Sequence, residues 1–192
     1  MNVMKCQVLV VGAGPGGYVT AIRSAQLGLK TVIVEGERAG GTCLIRGCIP
    51  SKALIHAAHS FHNLAKHAKG DGHMGIAIPG PAELNMANLI GWKEGIVDRL
   101  NKGVEGLLKN AGAQLVSGWA VFQDAKTVKI GEGPEATLIE AEHVVLAQGS
   151  VPIELPFMPF SDHVLSSREA LTLDTLPDHV VVVGGGYIGL EL

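Results

Sequence analysis

Cys6-Gln7-Val8-Leu9-Val10-Val11-Gly12-Ala13-Gly14-Pro15-Gly16-Gly17 sets an apolar, β-branched run directly against a glycine turn. Outward from it, Tyr18 to Leu27 has helical spacing and Thr31 to Glu35 returns to a strand pattern, so the segment reads as a βαβ unit. Gly12 permits the turn, Gly14 lets backbone approach a pyrophosphate, and Gly17 lets the helix pack close to the strand. The phosphates then rest on the helix N-terminal amides. Glycine spacing alone is weak evidence. Here it comes with Glu35, which ends the second strand 21 residues after Gly14, where a carboxylate accepts hydrogen bonds from an adenosine ribose.

Just downstream, Gly40-Gly41-Thr42-Cys43-Leu44-Ile45-Arg46-Gly47-Cys48-Ile49-Pro50-Ser51-Lys52 places two cysteines five positions apart. A structural disulfide ordinarily links distant segments in an oxidising compartment, whereas a short-range pair in an intracellular protein points to redox or metal chemistry. A metal site needs three or four ligands, and the only other cysteine, Cys6, lies in a strand that reads as buried. The redox reading is therefore favoured, and no metal is expected.

Composition bounds the class without naming an activity. The 192 residues allow one full domain and the start of another. Fifteen Lys plus Arg against 18 Asp plus Glu leave a formal charge of -3, so no basic footprint recruits nucleic acid or an acidic membrane surface. The longest apolar runs, Val8 to Val11 and Val180 to Val183, are far short of the roughly 20 residues of a membrane span and read as buried strands. The N-terminus enters the first strand almost at once, with no room for a signal or transit peptide, so a cytoplasmic location is expected.

From Ile49 the pattern is helical, with Leu54, Ala58, Phe61, Ala65 and Ala68 on one face and His56, His59, His62 and His67 on a solvated other. A glycine-rich loop from Gly70 to Pro81 leads to a second helix, roughly Leu84 to Asn110. Its apolar stripe is Met86, Leu89, Ile90, Val97, Leu100, Val104 and Leu107, with Trp92 beside it as a packing or interface residue. Short strands follow at Gln114 to Phe122, Thr127 to Ile130, Ala136 to Ile139 and His143 to Ala147, as expected for a β-hairpin insert in or beside the nucleotide domain. Gln148-Gly149-Ser150 is a further glycine turn. The chain closes on Val180 to Val183 and Gly184-Gly185-Gly186-Tyr187-Ile188-Gly189-Leu190-Glu191-Leu192, a second GxGxxG at Gly184, Gly186 and Gly189. A whole βαβ unit takes some 30 residues, so this one is cut at its first helix and the chain looks like a fragment.

Two dinucleotide fingerprints flanking a CxxxxC make the whole chain resemble the flavoprotein pyridine nucleotide-disulfide oxidoreductases. The resemblance implies an α/β architecture. Residues 1–150 would form a Rossmann-like FAD-binding domain, a parallel sheet plus hairpin insert. Residues 151–192 would form a linker and the truncated start of a Rossmann-like NAD-binding domain. Ser51 before Lys52, and the stretch Trp92 to Leu100, are most similar to members that oxidise dihydrolipoamide with NAD as acceptor. Glutathione or mercuric reductase types, and a non-catalytic FAD-binding fragment, are the alternatives. Ile45 and Gln148 depart from the family's usual Asn and Thr.

The resemblance also implies roles. Cys43 and Cys48 would form the redox disulfide, Cys43 taking the attack of reduced lipoamide and Cys48 leaving as thiolate beside the flavin. Gly12, Gly14, Gly17, Glu35, Gly41 and Thr42 would hold the flavin nucleotide, with Ala120 and Gly149 approaching it. Lys52 would lie by the reactive edge of the isoalloxazine with Glu191 as its partner. Tyr187 would cover the nicotinamide side, and Gly184, Gly186 and Gly189 would bind NAD. The implied partners are a lipoyl-bearing acyltransferase of a 2-oxo acid dehydrogenase complex and, at full length, a second copy of the chain. That copy supplies the family's histidine base from its C-terminal part, so the 192 residues alone are not expected to turn over.

Overall fold

A computed structural model describes residues 2–70 and 75–192. The chain runs β1 (Asn2–Val11), α1 (Pro15–Gln26), β2 (Thr31–Glu35), α2 (Gly41–Arg46), α3 (Cys48–Ala68), α4 (Met86–Ala111), β3 (Gln114–Ser117), β4 (Ala120–Phe122), β5 (Thr127–Ile130), a 3-10 turn (Gly133–Glu135), β6 (Thr137–Leu146), α5 (Ser167–Ala170) and α6 (Tyr187–Glu191). It divides into two compact units, Met1–Ile45 with Asp98–Val151 and Arg46–Val97 with Pro152–Leu192. The helical segment after the cysteines thus groups with the C-terminal segment and not with the sheet.

The first unit carries one six-stranded sheet of order β3-β2-β1-β6-β5-β4. β1 pairs in parallel with β2 and β6, and β2 in parallel with β3, while β4, β5 and β6 pair antiparallel. Strands covered on both faces need continuous apolar sequence, which is why Val8 to Val11 and Val32 to Val34 are buried without alternation. Leu9, Val11, Val32 and Val34 share a cluster with Val128, Ile130 and Ile139, so the hairpin and the parallel strands have one core. Removing the fully buried Leu9 side chain to alanine would cost about 2–5 kcal/mol. β3 and β4 stand at opposite ends of the strand order, yet only Gly118 and Trp119 separate them. Three residue steps span at most about 10 Å, so the sheet curls until its two edges approach there.

Several elements differ from their sequence reading. Gln114 to Phe122 is two strands, because Gly118 at φ +140 turns the chain. Ala136 to Ile139 and His143 to Ala147 are one strand, because β1 pairs with it from Asn2↔Thr137 to Val11↔Leu146 and Lys5 reaches Glu140 Oε2 at 3.1 Å. On α4 the buried face is Lys93, Val97, Asn101, Val104 and Leu108, while Leu100 and Leu107 are exposed. Lys93 is 1% exposed because its ammonium donates to the Leu171 carbonyl at 2.8 Å and pairs with Glu94 at 2.7 Å. Asn101 Nδ2 donates to the Ala39 carbonyl at 2.6 Å. Trp92 is partly exposed. On α3 only Pro50, Ser51 and Ala53 are buried, and Ala58 of the expected apolar face is exposed. Val180 to Val183 form no strand and are exposed. A strand exists only by pairing, and among the described residues no strand pairs with this one. Of the loop expected over Gly70 to Pro81, residues 71–74 lie outside the described residues.

Candidate active site

In the first unit the two ends of the Gly12–Gly17 turn are packed too closely against backbone for side chains. Gly12 sits at φ +99, and a Cβ there would lie 2.3 Å from the Ala147 carbonyl oxygen. A Cβ on Gly17 would lie 1.8 Å from the Gly12 carbonyl oxygen, so the third glycine is what lets α1 start against β1. Gly41, at φ +60, comes equally close, its Cβ position 2.5 Å from the Gly14 Cα. The Gly40 amide donates to the Ala13 carbonyl at 2.7 Å, which joins the two glycine stretches.

Gly14, with φ -71 and ψ -177, caps α1 without any side-chain hydrogen bond, and Pro15 follows as its first residue. First-turn amides left without a capping side chain, at the positive end of a 12-residue helix, suit a phosphate. Beside them, Glu35 Oε2 accepts from the Ala13 amide at 2.7 Å and Oε1 from the Glu37 amide at 3.0 Å. That fixes a carboxylate at the edge of the turn. A turn closed to a Cβ at Gly12, Gly17 and Gly41, uncapped amides and a tethered carboxylate together fit a dinucleotide. Ala120 lies half-buried on β4 and Thr42 is exposed, while Gly149 stands at φ +74 in open space, one residue beyond Gln148, whose Cα abuts Gly12.

Both Cys43 and Cys48 are disulfide-bonded, which leaves Cys6 as the free thiol. Cys48 opens α3, a 21-residue helix whose cap, Gly47, carries no side-chain hydrogen bond. A thiolate released there would face the helix's positive end, the setting that lowers a thiol pKa. Cys48 is exposed and Cys43 half-buried. By contrast, burial pushes the Cys6 thiol up.

In the second unit, one turn of α3 beyond Cys48, Lys52 Nζ donates to Glu191 Oε1 at 2.6 Å and Oε2 at 2.7 Å. Ser51 Oγ lies 3.3 Å from Glu191 Oε2 and 3.3 Å from the Cys48 carbonyl. The hydrogen bond from Lys52 holds the Glu191 carboxyl below the usual range. Tyr187, 79% exposed, is four residues before Glu191 on α6 and so shares its face.

The second glycine motif repeats the first in backbone detail. Gly184 is at φ +113, Gly186 caps α6 at φ -74 and ψ 172, and a Cβ on Gly189 would lie 2.4 Å from the Gly184 carbonyl oxygen. The fold therefore assembles Gly12, Gly14, Gly17, Gly41 and Glu35 in one unit, and Lys52, Glu191 and Tyr187 in the other. Sequence reasoning missed Ser51, whose i+3 spacing from Cys48 was the available signal, and Ala147, whose carbonyl makes position 12 a glycine. Among the described residues no group of three or more His, Cys, Asp or Glu side chains could hold a metal, and no helix is long and apolar enough to cross a membrane.

The family model described as pyridine nucleotide-disulphide oxidoreductase matches residues 6–192. The chain is 51% identical over 192 residues to the dihydrolipoyl dehydrogenase of Pseudomonas aeruginosa, covering 100% of this chain and 41% of that protein. It is 52% identical over 191 residues to the dihydrolipoyl dehydrogenase of Haloferax volcanii, covering 97% and 39%. The Cu(II) complex of an HOCl-induced flavoprotein disulfide reductase mutant from Escherichia coli superposes with a TM-score of 0.79 at 25% identity, over 100% of this chain and 39% of that one. The chain thus spans about two-fifths of the length of the curated relatives it matches.

Proposed function

Because the chain belongs to the pyridine nucleotide-disulphide oxidoreductase family, we propose that it is the FAD-binding and disulfide-bearing part of a dihydrolipoyl dehydrogenase. In this reading Gly12, Gly14, Gly17, Glu35, Gly41 and Thr42 hold FAD, with Ala120 and Gly149 beside it. Gly184, Gly186, Gly189 and Tyr187 receive a pyridine nucleotide, taken as NAD, the acceptor of this reading. Residues 1–150 are then the FAD domain, and residues 151–192 the linker and opening of the NAD domain. The full-length protein is a cytoplasmic homodimer serving a lipoyl-bearing acyltransferase.

The chemistry of the chain's own residues begins with thiol-disulfide exchange. A thiolate of dihydrolipoamide attacks the Cys43 sulfur, the Cys43–Cys48 bond breaks, and Cys48 leaves as thiolate at the positive end of α3. The substrate's second thiolate then attacks its own sulfur in the mixed disulfide. Cys43 leaves as thiolate, and lipoamide carries its new S–S bond away. Two electrons now reside on the Cys43 and Cys48 thiolates, and the substrate's two protons have gone to a base and to solvent. Bound FAD would accept that electron pair and relay it to NAD. Lys52 keeps a cation one helical turn from Cys48, steadied by Glu191.

The observation that carries the reading is the first turn of α3, where a bonded cysteine, Ser51 and a lysine clamped by the Glu191 carboxylate fall within the five positions 48–52. Identity near 50% to dihydrolipoyl dehydrogenases supports this substrate over those of other disulfide reductases, such as the Escherichia coli protein at 25%. The test is Gly14→Val. A Cβ there meets only the Gly41 Cα at 3.8 Å, so the fold should survive while the phosphate approach is blocked. Loss of flavin with unchanged circular dichroism is expected. Undiminished flavin content would overturn the assignment of the turn.

A further inference from the structure

Trp119 stands next to Glu35 with most of its ring in solvent. Its residue is 71% exposed, an unusual setting for an indole on a short connection. Nothing about that connection is loose. The Gly118 amide donates to the Glu35 carbonyl at 2.8 Å, and a Cβ on Gly118, at φ +140, would strike Ile130 Cγ2 at 2.5 Å. The ring then lands on Gly36. Three of its carbons, Cδ2, Cε2 and Cε3, lie 2.7, 2.7 and 2.9 Å from the point a Gly36 Cβ would occupy. Near-equal distances to three atoms of one ring mean that the ring's face, not its edge, covers the glycine. Any side chain at position 36 would evict it.

One face of the indole is therefore seated on backbone while the ring remains largely exposed. Glu35, the residue before Gly36, is itself held by the Ala13 and Glu37 amides. Neighbouring Cα atoms are about 3.8 Å apart, so the ring stands within one residue of the carboxylate suited to a ribose. A base joined to that ribose needs a flat apolar wall, and aromatic side chains supply one by offset stacking.

We propose that Trp119 is the wall against which the adenine ring of the bound nucleotide stacks, with Gly36 kept free of a side chain to seat it. The proposal rests on the reading of Glu35 and the first glycine turn as an FAD site. Stacking alone is worth about 1–3 kcal/mol per base, so loss of the indole should weaken binding on the order of tenfold.

The chain has two tryptophans, so Trp92→Phe leaves Trp119 as the sole emitter. In that background, ADP, which lacks the isoalloxazine, should quench Trp119 emission saturably. Trp119→Ala should weaken ADP and FAD alike by on the order of tenfold, while Trp119→Phe keeps affinity within roughly threefold. Gly36→Val, which displaces the ring, should resemble Trp119→Ala in affinity. FAD binding with unchanged affinity in Trp119→Ala, and no ADP quenching, would overturn the adenine wall and leave the FAD site standing. Failure of the unsubstituted chain to bind either nucleotide would overturn both.

Discussion

Gly16 and Gly17 are adjacent on α1, yet a methyl group should act on them in opposite directions. Gly16 is exposed and an added Cβ there meets nothing within 4 Å. Alanine at that position simply gains helix propensity, about 0.5–1 kcal/mol in favour of folding. At Gly17 the Cβ would lie 1.8 Å from the Gly12 carbonyl oxygen, against the 3.0 Å below which real Cβ contacts essentially never fall. The helix would have to retreat from β1 by at least 1.2 Å. It cannot do so cheaply, because the atom in the way is backbone and Gly12 is itself tied to the Val34 carbonyl at 2.8 Å. Overpacking costs typically 1–3 kcal/mol, and a rigid neighbour places this case near the top, about 3 kcal/mol. The propensity gain of about 1 kcal/mol leaves Gly17→Ala some 2 kcal/mol less stable than the parent, and about 3 kcal/mol below Gly16→Ala. Urea unfolding followed by far-ultraviolet circular dichroism resolves this. With a slope of about 1–3 kcal/mol/M the two midpoints should differ by roughly 1 M or more. Midpoints agreeing within about 0.3 M would refute the argument that Gly17 exists for close helix-strand packing.

Thiol titration of the oxidised native chain should find no rapidly reacting group, since Cys6 is buried with its thiol pushed up and the other two cysteines are bonded; three thiols should appear after reduction and unfolding. Three reactive thiols in the native chain would remove the disulfide. The Glu191 carboxyl is depressed in the folded chain, so its contribution to stability is present above the unfolded carboxyl's range and lost as pH falls through the folded value. Carboxyl NMR titration should show Glu191 returning to the ordinary range in Lys52→Met, and an unmoved midpoint would argue against the ion pair. Lys93→Ala should destabilise by about 3–5 kcal/mol through a cavity and an unpaired Leu171 carbonyl, whereas Lys93→Met, keeping the stem, should cost about 1–3 kcal/mol. Equal denaturation midpoints for the two variants would show that packing of the stem contributes nothing.

The parts of the fold legible in the sequence were those whose information is local. β1, the Gly12–Gly17 turn, α1 and β2 are written in a continuous apolar run, a glycine spacing and a 3.6-residue period, none of which needs a distant partner. The short cysteine spacing is local in the same sense, since only four intervening residues already keep the sulfurs close. What was misread depended on neighbours. Glu140-Ala141-Glu142 has little β-propensity, so Ala136 to Ile139 and His143 to Ala147 read as separate strands, whereas β1 pairs along the whole of β6 with Lys5 beside Glu140. The stripe on α4 was drawn by hydrophobicity through Leu100 and Leu107. The buried face instead runs through Lys93 and Asn101, because carbonyls of Leu171 and Ala39 wait for their hydrogens.

Sequence alone determined the chemistry available to this chain: which turns admit a phosphate, which cysteines sit within bonding reach, which carboxylate ends the second strand. Backbone conformation at Gly12 or Gly184 and the identity of a side chain are properties of the residue and its immediate neighbours, so they need no fold to be read. Tertiary structure decided who meets whom. It placed Glu191 on Lys52 across 139 positions, closed the Ala147 carbonyl over Gly12, and laid Trp119 on Gly36. The last two follow from the burial of the first unit's core and the curl of its sheet, and each pairing is part of a minimum over many contacts that no stretch of residues encodes by itself.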